Sequence, residues 1–307
     1  MATIKEIKNH INSVRDTQKI TNAMYLIAST KLRKAKSELD LTRPYFNAVQ
    51  GEIKRIFRTS MEIENKYFYP ITGEHELPGS YGYLVITADK GLAGAYNQNV
   101  IKEALKLMQE HENPKLFVVG EYGRHYFESH NIPIQKSFLY TAQNPTIHRA
   151  REISNILLEL FEQGELSKIF VIYTDLKNAV NSQACSARLL PFHRAEFLTL
   201  ENTEQTIDDS FEFFPSMEKV LDSIVPDYFT GFIYSALIDS FCCEQNARMS
   251  AMDAANQNAQ KLLEELSVQY NHVRQSAITQ EITEVMSGAK SMKRKAETRR
   301  VKGGGSL

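Results

Sequence analysis

The sequence predicts an α/β domain carried between two long helices that pair as an antiparallel coiled coil and form a shaft. Residues 1–43 and 232–287 contain no Gly and no Pro. Each stretch is several times longer than the usual helix of about 11–12 residues. Between them, short β-branched segments alternate with amphipathic ones, which is typical of a mainly parallel, Rossmann-like sheet covered by helices.

Both terminal stretches carry apolar and small residues at heptad spacing. A seam of a and d positions that persists over about five heptads indicates a coiled coil. Because the two stretches lie at opposite ends of the chain, an antiparallel pair is the simplest arrangement. The first seam consists of Ile4, Ile7, Ile11, Val14, Gln18, Thr21, Tyr25, Ala28, Leu32, Ala35 and Leu39, and the second of Met252, Ala255, Ala259, Leu262, Leu266, Gln269 and Val273.

Prolines and polar segments set the expected boundaries. Pro44 predicts a kink or an end in the first helix, with helical spacing resuming to about Thr59, and Pro226 predicts an interruption near the start of the C-terminal helix. Residues 65–82 and 201–214 are expected to be loops. The predicted domains are an N-terminal coiled-coil helix (1–59), a central α/β domain (60–214), a C-terminal coiled-coil helix (215–289) and a basic C-terminal extension (290–307).

The central domain contains the alternation on which the fold class depends. Its apolar, β-branched segments predict buried strands, and its segments with helical spacing predict the covering helices. The strands are expected at 83–87, 115–119 and 169–173, the helices at 97–109 and around 153–161, and a final edge-like strand at 183–190.

Charge is distributed unevenly along the chain. Residues 1–58 hold twelve Lys/Arg and five Asp/Glu, residues 232–289 hold three and seven, and residues 290–307 hold seven and one. Opposite charge favours pairing of the two long helices, although each exposed ion pair contributes only a few tenths of a kcal/mol. A basic helix also fits nucleic acid or an acidic protein surface, and a solvated helix face explains the same charges.

Several functional classes find no support in the sequence. No segment approaches the roughly 18–20 apolar residues that span a bilayer, and the N-terminus lacks the apolar core of a signal peptide, so export is not expected. Cys185, Cys242 and Cys243 form neither a disulfide framework nor a zinc-ligand pattern. We therefore expect no metal site and reduced thiols.

No catalytic motif is evident either. The segment Asp89–Gly94 follows a predicted strand and superficially resembles a glycine-rich phosphate loop, but it fits neither nucleotide-binding consensus. A tight strand-to-helix turn is the other interpretation. The motifs of zinc proteases, dithiol sites and serine hydrolases are absent from the sequence. We expect no catalytic residue and no cofactor.

Four separated segments resemble the gamma subunit of F-type ATP synthases. The N-terminal helix carries one signature, the first strand and its turn carry the second, and the C-terminal helix carries two more. Together they span residues 1 to about 289 in the family's order. The segments are Ile20–Met24 with Ala28–Ala35 and Arg43–Tyr45, Thr87–Asn97, Glu244–Ala255 and Ala277–Glu284.

The resemblance implies a non-catalytic rotor shaft. In that family the coiled coil stands inside a hexamer of alpha and beta subunits, and its base connects to epsilon and the membrane-embedded c-ring. Ion flow turns the shaft, which drives the beta sites through their conformations during ATP synthesis or hydrolysis. The resemblance implies no nucleic acid and a peripheral position at the cytoplasmic face of the bacterial plasma membrane.

The family's functional positions carry over residue by residue, and a plain helix surface is the alternative for each. The residues expected near the acidic lever of beta are Met24, Lys31, Arg33 and Lys34. Those expected to meet the loops that grip the upper shaft are Arg248, Gln275 and Thr279. The central-domain turn is marked by Asp89, Gly91 and Gly94.

The chain departs from the family pattern in two places. Ala93 and Ala95 stand where members often carry Cys and Gly, and both are small enough to preserve the turn. Residues 290–302 continue beyond the family's usual end and are strongly basic. We expect this tail to reach the top of the hexamer's bearing or to emerge beyond it, and to slow hydrolysis by binding acidic groups. Residues 303–307 resemble a flexible linker.

Two other classes remain open from the sequence. A nucleic-acid-binding protein with a basic coiled-coil arm predicts strongly salt-dependent binding to DNA or RNA. An α/β enzyme with a coiled-coil appendage predicts turnover of a small molecule by the isolated chain.

Overall fold

A computed structural model describes residues 3–59, 63–70, 79–111, 113–139, 142–176, 182–198 and 212–303. It contains six helices and five strands in these ranges, in the order expected for an α/β domain between two long helices. The helices are α1 (Ile4–Thr59), α2 (Tyr96–Gln109), α3 (Glu121–Ser129), α4 (Ile147–Glu162), α5 (Arg194–Leu198) and α6 (Met217–Gly303); the strands are β1 (Ser80–Ile86), β2 (Pro114–Val119), β3 (Ile134–Phe138), β4 (Leu166–Leu176) and β5 (Ser182–Leu190).

The chain divides into two compact units, and both long helices contribute to each. The first unit takes the start of α1, up to residue 24, and the part of α6 that follows residue 251. The second takes residues 25–251, which include the whole sheet.

The first unit is a helix pair with an apolar seam. Ile7 and Val14 of α1 are buried with Leu266 of α6. Thr21 donates a hydrogen bond to the amide oxygen of Asn256 at a polar point of the seam. The heptad prediction is therefore confirmed here, except that Gln269 is exposed and the next residue, a tyrosine, packs in the seam instead. From residue 278 to residue 293, every α6 side chain is exposed.

In the second unit, α1 and α6 run antiparallel. The Gln50 amide donates to the Tyr228 hydroxyl at 3.4 Å, and the Phe46 ring, earlier in α1, lies against Gly231, later in α6. The seam positions of α1 in this unit are also covered, with Ala28, Ala35 and Leu39 buried.

The predicted end of α1 at Pro44 and the predicted interruption of α6 at Pro226 are wrong, whereas the continuation of α1 to Thr59 is confirmed. Pro44 lies inside α1 and Pro226 lies inside α6. A proline inside a helix costs about 3 kcal/mol because it removes one hydrogen bond and its ring crowds the preceding turn. Burial on both sides of each proline offsets that cost. Leu39 and Ile53 flank Pro44 in the core, and Leu221 and Phe229 flank Pro226 in the same core.

The sheet has the order β3-β2-β1-β4-β5. Its first four strands are parallel, and β5 pairs antiparallel with β4 as an edge strand. The mainly parallel sheet and the edge strand are thus confirmed. The sequence interpretation missed α3, β3 and α5. Strand β3 buries only one residue, Phe138, so it has no apolar run to detect, and α3 has nine residues with a glycine among them.

Alternating side chains of the strands face two separate cores. On one face, Leu84 and Ile86 of β1 pack in a large core that α1, α4 and α6 share. On the other face, Tyr83 and Val85 pack with α2 and α3. Burial on both faces explains why the central strands are almost continuously apolar.

Two predicted loops fall partly outside the described residues. Of the segment 65–82, residues 71–78 are not described, and β1 already begins at Ser80, so the predicted end of that loop is wrong by three residues. Of the segment 201–214, only the last three residues are described. Among the helices in the described ranges, none combines the length and the apolar character that a bilayer crossing requires.

Candidate functional site

The carboxyl edge of the sheet is where the two halves of the α/β domain meet. Chain order reverses at β1, which has β2 on one side and β4 on the other. In open α/β sheets, ligands usually bind in the crevice that this reversal creates. Here Cys243 of α6 packs at that place against Ala88, Ala93 and Tyr96, the residues that follow β1. A helix of the chain itself occupies the usual ligand position.

Buried polar contacts fix α6 to this edge. The backbone N–H of Thr174, near the end of β4, donates to the Ser240 hydroxyl at 3.2 Å. Close by, the Asn97 side-chain oxygen accepts the N–H of Ala88 at 2.9 Å, which fixes the start of α2 to the end of β1. Tyr96 is buried, and this burial raises the pKa of its hydroxyl.

The connection between β1 and α2 is anchored on its other side to α3. The Thr87 hydroxyl donates to the Val119 carbonyl at 2.8 Å and accepts the Gly123 N–H at 3.0 Å. A carboxylate oxygen of Asp89 accepts the N–H of Glu121 at 3.0 Å, at the beginning of α3. Asp89 therefore acts as a structural acceptor in the turn.

Arg248 of α6 reaches the middle of the same turn. One guanidinium nitrogen, Nη2, lies 3.1 Å from the Gly91 carbonyl oxygen and 2.6 Å from Oε1 of Glu244. The side chains of Arg248 and Glu244 are only 12% and 8% exposed. Burial raises the pKa of the Glu244 carboxyl, and the charge of Arg248 opposes that rise. Gly94, also in the turn, is exposed and has a φ of 55°.

The structure therefore gives Arg248 an internal role that the sequence did not predict. It brings Arg248 together with Gly91, two residues that the sequence interpretation placed in different sites. Contact of Arg248 with a partner subunit remains a prediction.

The basic residues predicted near a partner lie on the surface of α1. Lys31, Arg33 and Lys34 are exposed, and Met24 is half-buried. Lys34 approaches Glu38 of the next helical turn at 3.7 Å, which is a weak exposed pair. The surface is thus open to an acidic partner.

Gln275 and Thr279 lie in the first unit, on the part of α6 that follows the seam. Both are exposed, and the Thr279 hydroxyl donates to the Gln275 backbone carbonyl at 2.9 Å. They line an open groove of about 570 Å³ with neighbours on the same helix. Contact of Gln275 and Thr279 with a partner subunit remains a prediction.

Other titratable groups of the described chain do not form a reactive site. Burial beside Asp175 raises the pKa of the Asp239 carboxyl to about 6. Burial raises the pKa of both Cys242 and Cys243 to about 12, which leaves these thiols protonated and unreactive near neutral pH. Within the described ranges, no cluster of three or more potential metal ligands occurs.

One cleft is a candidate for an enzyme active site. It has a volume of about 510 Å³ and is lined by residues that include Lys66 and Glu162. These two side chains pair at 2.8 Å, and the Tyr67 hydroxyl also donates to Glu162 at 2.5 Å. Lys66 and Tyr67 lower the pKa of the Glu162 carboxyl. This carboxylate is stabilised in its charged form by Lys66 and Tyr67, so it is poorly suited to act as a general acid.

The residues that hold α6 and the turn together at the carboxyl edge of the sheet were not predicted from the sequence. Glu244 stands four residues before Arg248, which is the spacing of an ion pair along a helix, so the pair itself was detectable. Ser240 gave no signal, because a lone serine in a helix does not indicate which strand it will meet.

The geometry defines a class of protein before any comparison. The ends of the chain pair as helices, α6 fills the ligand position of the α/β domain, and the buried polar groups serve structure. This is an α/β domain whose ligand position is filled by one of two long, paired helices.

The comparisons specify the family. A family profile described as "ATP synthase" matches residues 3–292. The ATP synthase gamma chain of Acetivibrio thermocellus is 39% identical over 297 residues, which cover 95% of this chain and 100% of the relative. A gamma chain of Acetobacterium woodii, described as sodium ion specific, is 35% identical and covers 94% and 98% of the two chains.

Solved structures agree with this assignment. A central-stalk chain of the Tetrahymena thermophila mitochondrial ATP synthase is 25% identical, with a TM-score of 0.57 and coverage of 77% of this chain and 99% of that one. A chain of the Euglena gracilis mitochondrial ATP synthase shares the fold, with a TM-score of 0.64, 14% identity and coverage of 94% of each chain. The chain belongs to the ATP synthase gamma chain family.

Proposed function

We propose that this chain is the central rotor shaft of an F-type ATP synthase and couples ion-driven rotation to ATP synthesis or hydrolysis at the beta subunits. The observation that carries the proposal is the placement of α6, which pairs with α1 along a seam and also fills the ligand position of the α/β domain. The chain is thus equipped to transmit force through a helix pair rather than to bind a substrate.

A rotor shaft acts through the asymmetry of its surface. Each beta conformation must be favoured by a different face of the shaft, because a shaft that fits all conformations equally shifts none of them. The two long helices differ in charge, since α1 is basic up to residue 58 and α6 is acidic between residues 232 and 289. This difference gives the chain the asymmetry that a rotor shaft requires.

The contacts with alpha and beta follow from exposed residues. Lys31, Arg33 and Lys34 are exposed and suited to the acidic lever of beta, with Met24 close to them in the sequence. Gln275 and Thr279 present polar groups to the loops that grip the upper shaft. Arg248 is largely covered within the chain.

The relatives place the chain in a membrane-associated complex. We infer that it lies peripherally at the cytoplasmic face of the bacterial plasma membrane, where its base would meet epsilon and the c-ring. The bacterial relatives support this position, as does the similar chain from a central stalk that was solved together with its c-ring.

Co-purification separates this function from the two alternatives. A tagged full-length chain is expressed together with alpha and beta subunits and purified at low and high salt. We expect a stable complex with both subunits that hydrolyses ATP, while the chain alone does not turn over substrate. Salt-sensitive capture of nucleic acid without alpha and beta, or catalytic turnover by the chain alone, would contradict the proposal.

A further inference from the structure

The turn between β1 and α2 presents an apolar side chain in an unusual conformation. Leu92 has a φ of 63° and is 64% exposed. A non-glycine residue with positive φ is uncommon, because the side chain crowds the backbone. Such a conformation persists where neighbouring contacts impose it, and it is found most often at functional sites.

The residues around Leu92 are anchored by contacts with other elements. Asp89 accepts a hydrogen bond from the start of α3, Gly91 accepts one from Arg248, and Ala93 is buried against α6. Between these anchors, Lys90 and Leu92 are exposed. Anchored and exposed residues therefore alternate along the turn.

We propose that Arg248 is a positioning residue, which together with Glu244 forms a latch that holds the Asp89–Gly94 turn so that Lys90 and Leu92 project as one rigid contact. The partner is a subunit surface that combines an apolar site with carboxylates, since a cation and an apolar side chain are presented together. This inference rests on the proposed rotor function. In this proposal Arg248 affects coupling by holding the turn.

Arginine suits this position for a geometric reason. One nitrogen of its planar guanidinium, Nη2, reaches both the Gly91 carbonyl and the Glu244 carboxylate, at 3.1 and 2.6 Å. The N–H groups of this nitrogen have fixed directions in the guanidinium plane, whereas a lysine carries the same charge on an ammonium that rotates freely. Arg248→Lys is therefore expected to preserve the ion pair and to hold the turn less firmly than arginine does.

The turn contains its own reporter, because trypsin cleaves after Lys90. In the folded full-length chain, Arg248→Met keeps the apolar stem but removes the donors, so cleavage at the Lys90–Gly91 bond should accelerate by about tenfold or more. Arg248→Lys should give an intermediate rate. Lys261→Ala, an exposed change on the same helix, should leave the rate unchanged. Equal cleavage in Arg248→Met and the unaltered chain would overturn the latch.

General unfolding is recognised in the same experiment. If Arg248→Met accelerates cleavage at all basic sites together, the variant is unfolding and the faster cleavage does not report on the turn. In that case Glu244→Gln is measured instead, because it keeps a hydrogen-bond acceptor but removes the charge. Faster cleavage confined to Lys90 in that variant supports the latch, and an unchanged rate overturns it.

Coupling tests the function of the latch. In the complete membrane complex, Arg248→Met and Leu92→Ala should each lower the ratio of ions pumped to ATP hydrolysed by about fivefold, and Arg248→Lys should restore part of it. A normal ratio in Arg248→Met, despite a loosened turn, would overturn the positioning role. Failure of the unaltered complex to pump would instead contradict the rotor function itself.

Discussion

Gly231 of α6 lies directly against the ring of Phe46 of α1, so that a Cβ atom at position 231 would overlap the ring. The ring is further held by Tyr45 and Tyr234, whose centroids lie 5.3 and 6.2 Å from it. The missing side chain allows the two helices to approach closely in the second unit. Glycine is otherwise unfavourable in the interior of a helix.

Gly231→Ala should therefore destabilise the protein, although the same change usually stabilises a helix. We expect a loss of about 1–3 kcal/mol in the free energy of unfolding, because the added methyl group overpacks the contact with Phe46. Urea denaturation followed by circular dichroism measures this change.

A matched control lies in α1. Gly51 is also helical but has open space where a Cβ would stand, so Gly51→Ala should stabilise by about 0.5–1 kcal/mol. Phe46→Leu should relieve part of the cost of Gly231→Ala when the two are combined. If Gly231→Ala and Gly51→Ala have the same effect, the close approach is not present in solution.

The seam of the first unit can be tested with two apolar residues of α6. Leu266 is 7% exposed and packs with Ile7 and Val14, whereas Val268 is 71% exposed. Leu266→Ala should cost about 2–4 kcal/mol through lost burial and a residual cavity, and Val268→Ala should cost less than about 0.5 kcal/mol. Hydrogen exchange of the α6 amides localises the effect, and equal protection in both variants would contradict the seam.

Asp239 makes the stability of the second unit depend on pH. Its pKa rises from 3.8 to about 6 through burial and the nearby charge of Asp175, while Arg43 opposes the rise. A carboxyl with a raised folded pKa binds its proton more tightly in the folded state. Its destabilising effect is therefore complete above pH 6, and it diminishes as the pH falls toward 3.8.

Asp239→Asn removes this penalty. It should stabilise the protein by about 1–3 kcal/mol at pH 7.5, and the gain should shrink steadily as the pH falls below 6. Thermal unfolding at several pH values measures the trend, with the exposed Asp253→Asn as control. A gain that is independent of pH would show that charge burial is not its cause.

The basic extension beyond residue 289 continues α6 to Gly303. We expect removal of residues 290–307 from the assembled complex to raise the rate of ATP hydrolysis about twofold or more, because several weak ion pairs with acidic groups add together. A full-length variant with the Lys and Arg residues of the tail replaced by Gln separates charge from length. An unchanged rate of ATP hydrolysis and unchanged coupling after the deletion would contradict the proposal that the tail slows hydrolysis.

The long helices and the central strands could be predicted because their signals are local and repeated. Ile7, Val14 and Leu266 recur at heptad spacing, and all three are buried. The error at Gln269 has a physical origin, since a heptad count is strict, whereas a helix of 3.6 residues per turn gradually shifts the buried face. Tyr270 packs there in place of Gln269, while Val273 keeps its predicted position.

The buried contacts between distant elements were much less predictable. The helix-breaking effect of Pro226 is local, but the core that offsets it is formed by residues from several elements. In the same way, nothing near Arg248 in the sequence indicates that its donor would reach Gly91, 157 positions earlier. The family resemblance identified both segments but not their contact.

If this chain is the shaft of the complex, it turns relative to the alpha and beta subunits. Rotation can be observed with a bead attached through Gln135→Cys, an exposed site on β3, in a Cys185→Ala background, with the alpha–beta hexamer fixed to glass. We expect continuous rotation in one direction upon addition of ATP. A bead that stays still while the same complexes hydrolyse ATP would contradict it.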